Sequence, residues 1–149
     1  STVGIFALGN TGICTCVTTR NKYTYSSDTV GSGGASTAAS QYGSAAGNST
    51  VGIFALGNAP NRSTTRNKYT YSGCVVAAGG AATAASTGGS AAGNSTVGIF
   101  ALGCVAGATS VTRDKYTYSS CIVTAGGAAT VASYYGRAAA SNGIAGITL

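Results

Sequence analysis

The chain contains no histidine, no glutamate, no methionine and no tryptophan, one proline, and only two acidic residues, Asp28 and Asp114. General acid–base and nucleophilic catalysis need proton carriers of tuned pKa held close together, usually histidine or paired carboxylates. The two aspartates stand at different places in the pattern described below, so the sequence predicts a protein that is not an enzyme and uses no cofactor. The glycine-rich GSGGAS, Gly31 to Ser36, lacks the Gly-Lys-Ser/Thr that completes a phosphate loop and reads as a turn. Cys14-Thr15-Cys16 has a spacing that a soft cation could use, but no third ligand type lies nearby in sequence. Two small loop residues, or one partner of a disulfide each, is the simpler reading, and no metal site is expected. No apolar run nears the ~18 to 20 residues of a membrane span, and no charged segment precedes a shorter one. A soluble mature segment with no membrane span is therefore expected, and the lack of methionine suggests a processed chain or a piece of a longer one.

Charge is equally sparse. Only 7% of residues are charged, and eight cations against two anions give a net +6. With 44% apolar residues this is not the composition of a disordered chain, and 24 glycines among alanine, serine and threonine suit closely apposed backbones. The basic balance permits an acidic partner, with an acidic glycan the first candidate. Five cysteines make an odd count without zinc-like spacing, which points to an oxidising, extracellular or cell-surface setting.

What the chain does have is one phrase written three times. STVGIFALG begins at Ser1, Ser49 and Ser95; KYTYS begins at Lys22, Lys68 and Lys115; GGA begins at Gly33, Gly79 and Gly126. Each KYTYS precedes the next STVGIFALG by 27 residues where one follows, Lys22 to Ser49 and Lys68 to Ser95, and the same step from Lys115 reaches Asn142. The closing NGIAGITL then reads as a partial fourth copy. The chain divides into one repeat domain, 1–149, with units of about 1–48, 49–94 and 95–141 and a partial copy at 142–149.

Within a copy, Val51, Ile53 and Ala55 point to one side of an extended chain and Gly52, Phe54 and Leu56 to the other, so this strand is predicted to be covered on both faces. In the second marker, Arg66, Lys68, Thr70 and Ser72 share one face while Asn67, Tyr69 and Tyr71 share the other. That alternation predicts a half-wet strand with tyrosines inward and cations guarding an exposed edge. SGCVVAA from Ser72 and SSCIVTA from Ser119 read as a third strand, TGGSAAGN from Thr87 leads into a fourth, and GGAATAAS from Gly79 reads as strand or tight loop.

Three or four short strands per repeat, with apolar faces on both sides, predict an all-β protein of three propeller-like blades plus a partial fourth element. At the level of AAGN-STVGIFALG, a loop, TRNKYTYS and a glycine-rich return, the pattern resembles a bacterial-type kelch-like propeller repeat. It departs from the strict kelch pattern in having Gly57-Asn58 for the double glycine and Tyr69 and Tyr71 with no tryptophan. A β-solenoid or fibril layer, with equivalent strands stacked at about 4.7 to 4.8 Å, is the architectural alternative.

The functional expectation is a structural protein whose partner is itself. A repeat stack without caps invites another copy, which predicts head-to-tail assembly through Val3, Ile5, Phe6 and Leu8 at one end and Ile144, Ile147 and Leu149 at the other. The competing expectation is a module that holds an acidic glycan through Arg20, Lys22, Arg66, Lys68, Arg113 and Lys115. Its specificity would lie in the variable loops that begin at Asn10, Asn58 and Cys104. Nucleic acid is disfavoured, because stacking rings and cations fall on opposite faces of the same strand. Cys74 and Cys121 are equivalent positions, occupied by Asp28 in the first copy, and read either as small buried side chains or as a disulfide pair.

Overall fold

The computed structural model of the chain describes residues 2–13, 15–134 and 138–141, and among these every regular element is a β-strand. The strands fall in chain order into antiparallel meanders. The first sheet is β1 (Val3–Ala7), β2 (Arg20–Thr24) and β3 (Thr29–Ser32). The second is β4 (Ser44–Gly47), β5 (Val51–Ala55), β6 (Arg66–Thr70) and β7 (Val75–Ala78). A two-residue strand, β8 (Ser86–Thr87), precedes the third sheet's first two strands, β9 (Ser90–Gly93) and β10 (Val97–Ala101). The short β11 (Cys104–Val105) and β12 (Ala108–Thr109) follow, and β13 (Arg113–Thr117) and β14 (Ile122–Ala125) complete the third sheet. The short strands form a small sheet of their own in the order β12-β11-β8.

The three copies of the apolar phrase and of the lysine–tyrosine marker pair in one register: Ile5 opposes Lys22, Ile53 opposes Lys68 and Ile99 opposes Lys115. Apolar residues that alternate over a short β-branched and aromatic run form such strands because each face finds a neighbouring layer. The final glycine of each phrase, Gly9, Gly57 and Gly103, has φ of 70°, 71° and 74°. That is a left-handed conformation natural to a residue without a Cβ, and a Cβ on Gly57 would meet the carbonyls of Gln41 and Tyr42 at 2.5 Å. Between the last two strands of each meander the turn also needs one left-handed residue, supplied by Asp28, Cys74 and Cys121 at φ of 52°, 52° and 55°.

The sheets pack face to face. Val51 and Ile53 of the second sheet join Phe100, Tyr116 and Tyr118 of the third in the buried core, with Ala46, Ala55 and Ala91 against them. The Asn48 side chain closes its own turn by accepting from the Thr50 and Val51 amides and donates at 2.9 Å to the carbonyl of Ser95 in the next repeat. Asn94 closes the equivalent turn before β10.

Three expectations change on this evidence. The sheet begins one strand before STVGIFALG, because SAAG at Ser44 and at Ser90 pairs with the apolar strand that follows. The solenoid alternative requires equivalent strands to pair, whereas β5 pairs with β4 and β6, neither of which is a copy of it. The marker strands β2, β6 and β13 are inner strands, so their cations guard no edge. GGAATAAS is a loop whose last residue opens β8.

Candidate functional site

One contact, made twice, joins the sheets. Arg20 of β2 extends into the second sheet, where its guanidinium lies 4.5 Å from the Phe54 ring centroid and Nη2 donates to Asn67 Oδ1 at 2.9 Å. One repeat later Arg66 lies 4.6 Å from the Phe100 centroid and donates to Asp114 Oδ2 at 2.7 Å. Both arginines are buried, at 2% and 1% exposure. The acceptors are clasped by a threonine from the preceding loop. The Thr37 amide donates to Asn67 Oδ1 and the Asn67 amide donates back to Thr37 Oγ1, while Thr83 donates to Asp114 through both its amide and its hydroxyl. A buried cation stacked on a ring and bonded to an oxygen acceptor offsets its desolvation cost, which explains how a chain with little charge can place it inside. Burial still pulls the Arg20 guanidinium down from its usual range, because Asn67 offers it no counter-charge.

The lysine two residues after each of these arginines repeats the step. Lys22 Nζ lies 3.7 Å from Cys74 Sγ, and Lys68 Nζ lies 3.6 Å from Cys121 Sγ. The tyrosine of the receiving sheet stands beside the same turn: the Tyr23 hydroxyl donates to Asp28, and Tyr69 and Tyr116 lie beside Cys74 and Cys121. Desolvation, then the neighbouring thiol, raises both of these tyrosines, Tyr116 to about 12. A glycine-rich return completes the contact. The Gly80 amide donates to the Tyr116 hydroxyl at 3.4 Å, and a Cβ on Gly80 would collide with the Cys121 carbonyl.

The two outermost faces carry the halves of this contact without their partners. Phe6 is 54% exposed where Phe54 is 8% and Phe100 is 0%, because among the described residues no arginine lies over it. Leu8 is exposed where Leu56 and Leu102 are buried. At the opposite end Arg113 is half-buried and among the described residues reaches only the Gly127 carbonyl at 3.5 Å, and a Cβ on Gly127 would meet none of the described residues within 4 Å.

The expected site residues are therefore redistributed. Val3 and Ile5 share a face with Lys22 and Arg20, toward the second sheet, so only Phe6 and Leu8 of that group lie on the outer face. Ile144, Ile147 and Leu149 lie outside the described residues. Arg20 and Arg66 are interior, Lys22 and Lys68 are held at thiols, and Arg113 and Lys115 remain at the outer face of the third sheet. Cys74 and Cys121 are free thiols in the hairpin turns of two different sheets, not a disulfide. Sequence reasoning missed Asn67, Asp114, Thr37 and Thr83. The available signal was that an oxygen acceptor follows the arginine in every copy, as Asn21, Asn67 and Asp114.

Among the described residues no cluster of metal-ligating side chains occurs and no helix is long and apolar enough to cross a membrane. No protein-family model matches the chain, and no curated protein is significantly similar to it.

Proposed function

We propose that the chain is a non-enzymatic structural module of kelch-like, propeller-like blades that assembles with copies of itself, the third sheet of one copy stacking on the first sheet of the next. The observation that carries this reading is the bare Phe6 at one face and, at the other, Arg113 with no ring or side-chain acceptor against it among the described residues, each the missing half of a contact made twice inside the molecule. Burying Phe6 would contribute about 1.5–3 kcal/mol, and a stacked guanidinium adds roughly 0.5–2 kcal/mol. The free edge of β1 adds to the reading: among the described residues β1 pairs only with β2, whereas β5 and β10 each have a second neighbour. A contact that closes gives a ring and one that does not gives a filament; near-identical repeats allow the same step to recur and favour the filament.

The acidic-glycan alternative keeps little chemistry, since Arg20, Lys22, Arg66 and Lys68 are engaged inside the molecule. Sedimentation velocity and electron microscopy test the assembly. The wild-type chain should form concentration-dependent oligomers, and Phe6→Ser and Arg113→Ala should each leave a folded monomer. A wild-type chain that stays monomeric toward ~1 mM, the weak end of specific association, overturns the proposal.

A further inference from the structure

Resting on that reading, we infer that copies are joined in register by an ion pair between Lys115 of one copy and Asp28 of the next. The inference follows from where the chain spends its charges. Of the two carboxylates, Asp114 is buried against Arg66 with neither side chain exposed. The other, Asp28, stands exposed in a turn on the first sheet. That turn position receives a lysine at each internal contact: Cys74 receives Lys22 at 3.7 Å and Cys121 receives Lys68 at 3.6 Å.

The three turn residues are superposable in kind as well as in sequence place. All three are left-handed, with φ of 52°, 52° and 55°, and each has the first tyrosine of its own KYTYS beside it. Lys115 is the third lysine of the series; it is exposed, and among the described residues its ammonium makes no side-chain hydrogen bond or ion pair, while its backbone stays in the ladder between β10 and β14. Moving the internal contact on by one repeat carries Lys115 Nζ to the Asp28 carboxylate and Arg113 to Phe6 and Asn21.

The substitution of carboxylate for thiol at this one turn has a physical consequence. A lysine beside a thiol gains a weak, polarisable acceptor, while a lysine beside a carboxylate gains a charge-assisted hydrogen bond of about twice the strength of a neutral one. The Tyr23 hydroxyl occupies one lone-pair site of Asp28 and leaves the others for an ammonium. The outer face of the first sheet therefore presents a carboxylate and that of the third sheet presents Lys115 and Arg113. Opposite signs at the two faces favour head-to-tail contact and oppose the meeting of two like faces.

Charge reversal tests the pair. Asp28→Lys and Lys115→Asp should each weaken self-association about tenfold or more in sedimentation equilibrium, and the double variant Asp28→Lys/Lys115→Asp should recover most of the loss. An equimolar mixture of the two single variants should associate better than either alone. Asp28→Asn, which tolerates the left-handed turn and removes only the charge, should weaken association and flatten its dependence on salt. Circular dichroism and a melting curve should show the same folded sheet in all variants. If the wild type associates and both reversals associate equally well, the ion pair is wrong and the stacking stands. If the wild type does not associate at all, the stacking falls and the pair with it.

Discussion

Arg66 of the second sheet and Asp114 of the third form an ion pair, Nη2 to Oδ2 2.7 Å, from which solvent is excluded on both sides. The equivalent contact one repeat earlier uses Asn67 in place of the aspartate, so the chain already contains the neutral version of its own ion pair. Asp114→Ala should cost about 3–5 kcal/mol, because it strands a buried guanidinium. Asp114→Asn should cost only about 1–2 kcal/mol, since the Arg66 and Thr83 donors keep an oxygen. Urea unfolding of both variants checks this, and equal losses would mean that Arg66 requires the carboxylate charge and not merely an oxygen acceptor.

Gly80 and Gly127 occupy the same place in consecutive GGA markers but differ in what covers them. A Cβ at Gly80 would strike the Cys121 backbone carbonyl, whereas one at Gly127 would meet nothing within 4 Å. Gly80→Ala should destabilise the chain by about 1–3 kcal/mol, as overpacking does, while Gly127→Ala should be within about 0.5 kcal/mol of wild type. If copies stack as proposed, Gly127→Ala should instead reduce association, because the turn at Asp28 of the next copy would lie where the Cys121 turn lies over Gly80.

Burial against the neighbouring sheet raises Tyr116 and Tyr118 to about 12, in each case chiefly by desolvation. A phenol whose folded pKa stands above its unfolded value of about 10 contributes stability that is complete below pH 10 and is lost as pH rises through the folded pKa. The melting temperature should therefore hold as pH approaches 10 and fall between pH 10 and 12. Tyrosinate absorbance should appear in two steps, with the later step coinciding with loss of the sheet signal. A single step centred near pH 10 would show that these hydroxyls are not held in the interior.

Much of this was legible in the sequence, and the illegible part has one cause. Val51 to Phe54 are all buried because both faces of that strand are apolar, and alternation reports this directly. The third strand of a copy begins three residues later than its pattern predicts, at Val75 and Ile122 and not at Ser72 and Ser119, since Cys74 and Cys121 read as strand and are in fact the left-handed residues of the turn. Arg20 and Arg66 were placed at a wet edge because alternation within a strand says which residues share a face, but not what the next sheet brings to that face. The partner of each arginine is 47 or 48 residues away. Only comparing copies reveals it: the arginine is constant while the acceptor one residue later changes from Asn21 to Asn67 to Asp114.

The thiols offer a direct check on the hairpin turns. Cys74 and Cys121 lie in different sheets, each facing a lysine, and are free. Alkylation after unfolding without reductant should label both, and Cys74→Asn should be tolerated within about 1 kcal/mol because asparagine favours the left-handed turn and can still accept from Lys22. A peptide linking the two cysteines in a non-reducing digest would contradict the structure.

The strand that the first sheet lacks relative to the other two has a sequence counterpart in the chain itself. Aligning Gly136 with Gly43 and Gly89 places Arg137 to Ala140 opposite the SAAG strands β4 and β9. The free edge of β1 borders a cleft of about 380 Å³ lined by Ile5, Ala7, Ala45 and Phe54 among others. Where β4 is present, its second alanine packs onto the next sheet: a Cβ on Gly98 would sit 3.2 Å from Ala46. At the equivalent Gly52 the three nearest atoms to such a Cβ all belong to Tyr71 and Phe54 of the same sheet, and no alanine of the first sheet is among them in the place that Ala46 takes at Gly98. Ala139, which aligns with Ala46, is the side chain that would fill it if the segment of one copy added to the β1 edge of the next. Strand addition supplies main-chain hydrogen bonds, and small alternate side chains set its register. Ala139→Arg should then weaken association at least tenfold while leaving the melting temperature of the monomer unchanged. A peptide spanning Gly136 to Asn142 should compete when added in excess. A chain lacking 138–149 that assembles as tightly as the full one would rule out edge completion and leave the Phe6 and Arg113 contact to hold the copies together by itself.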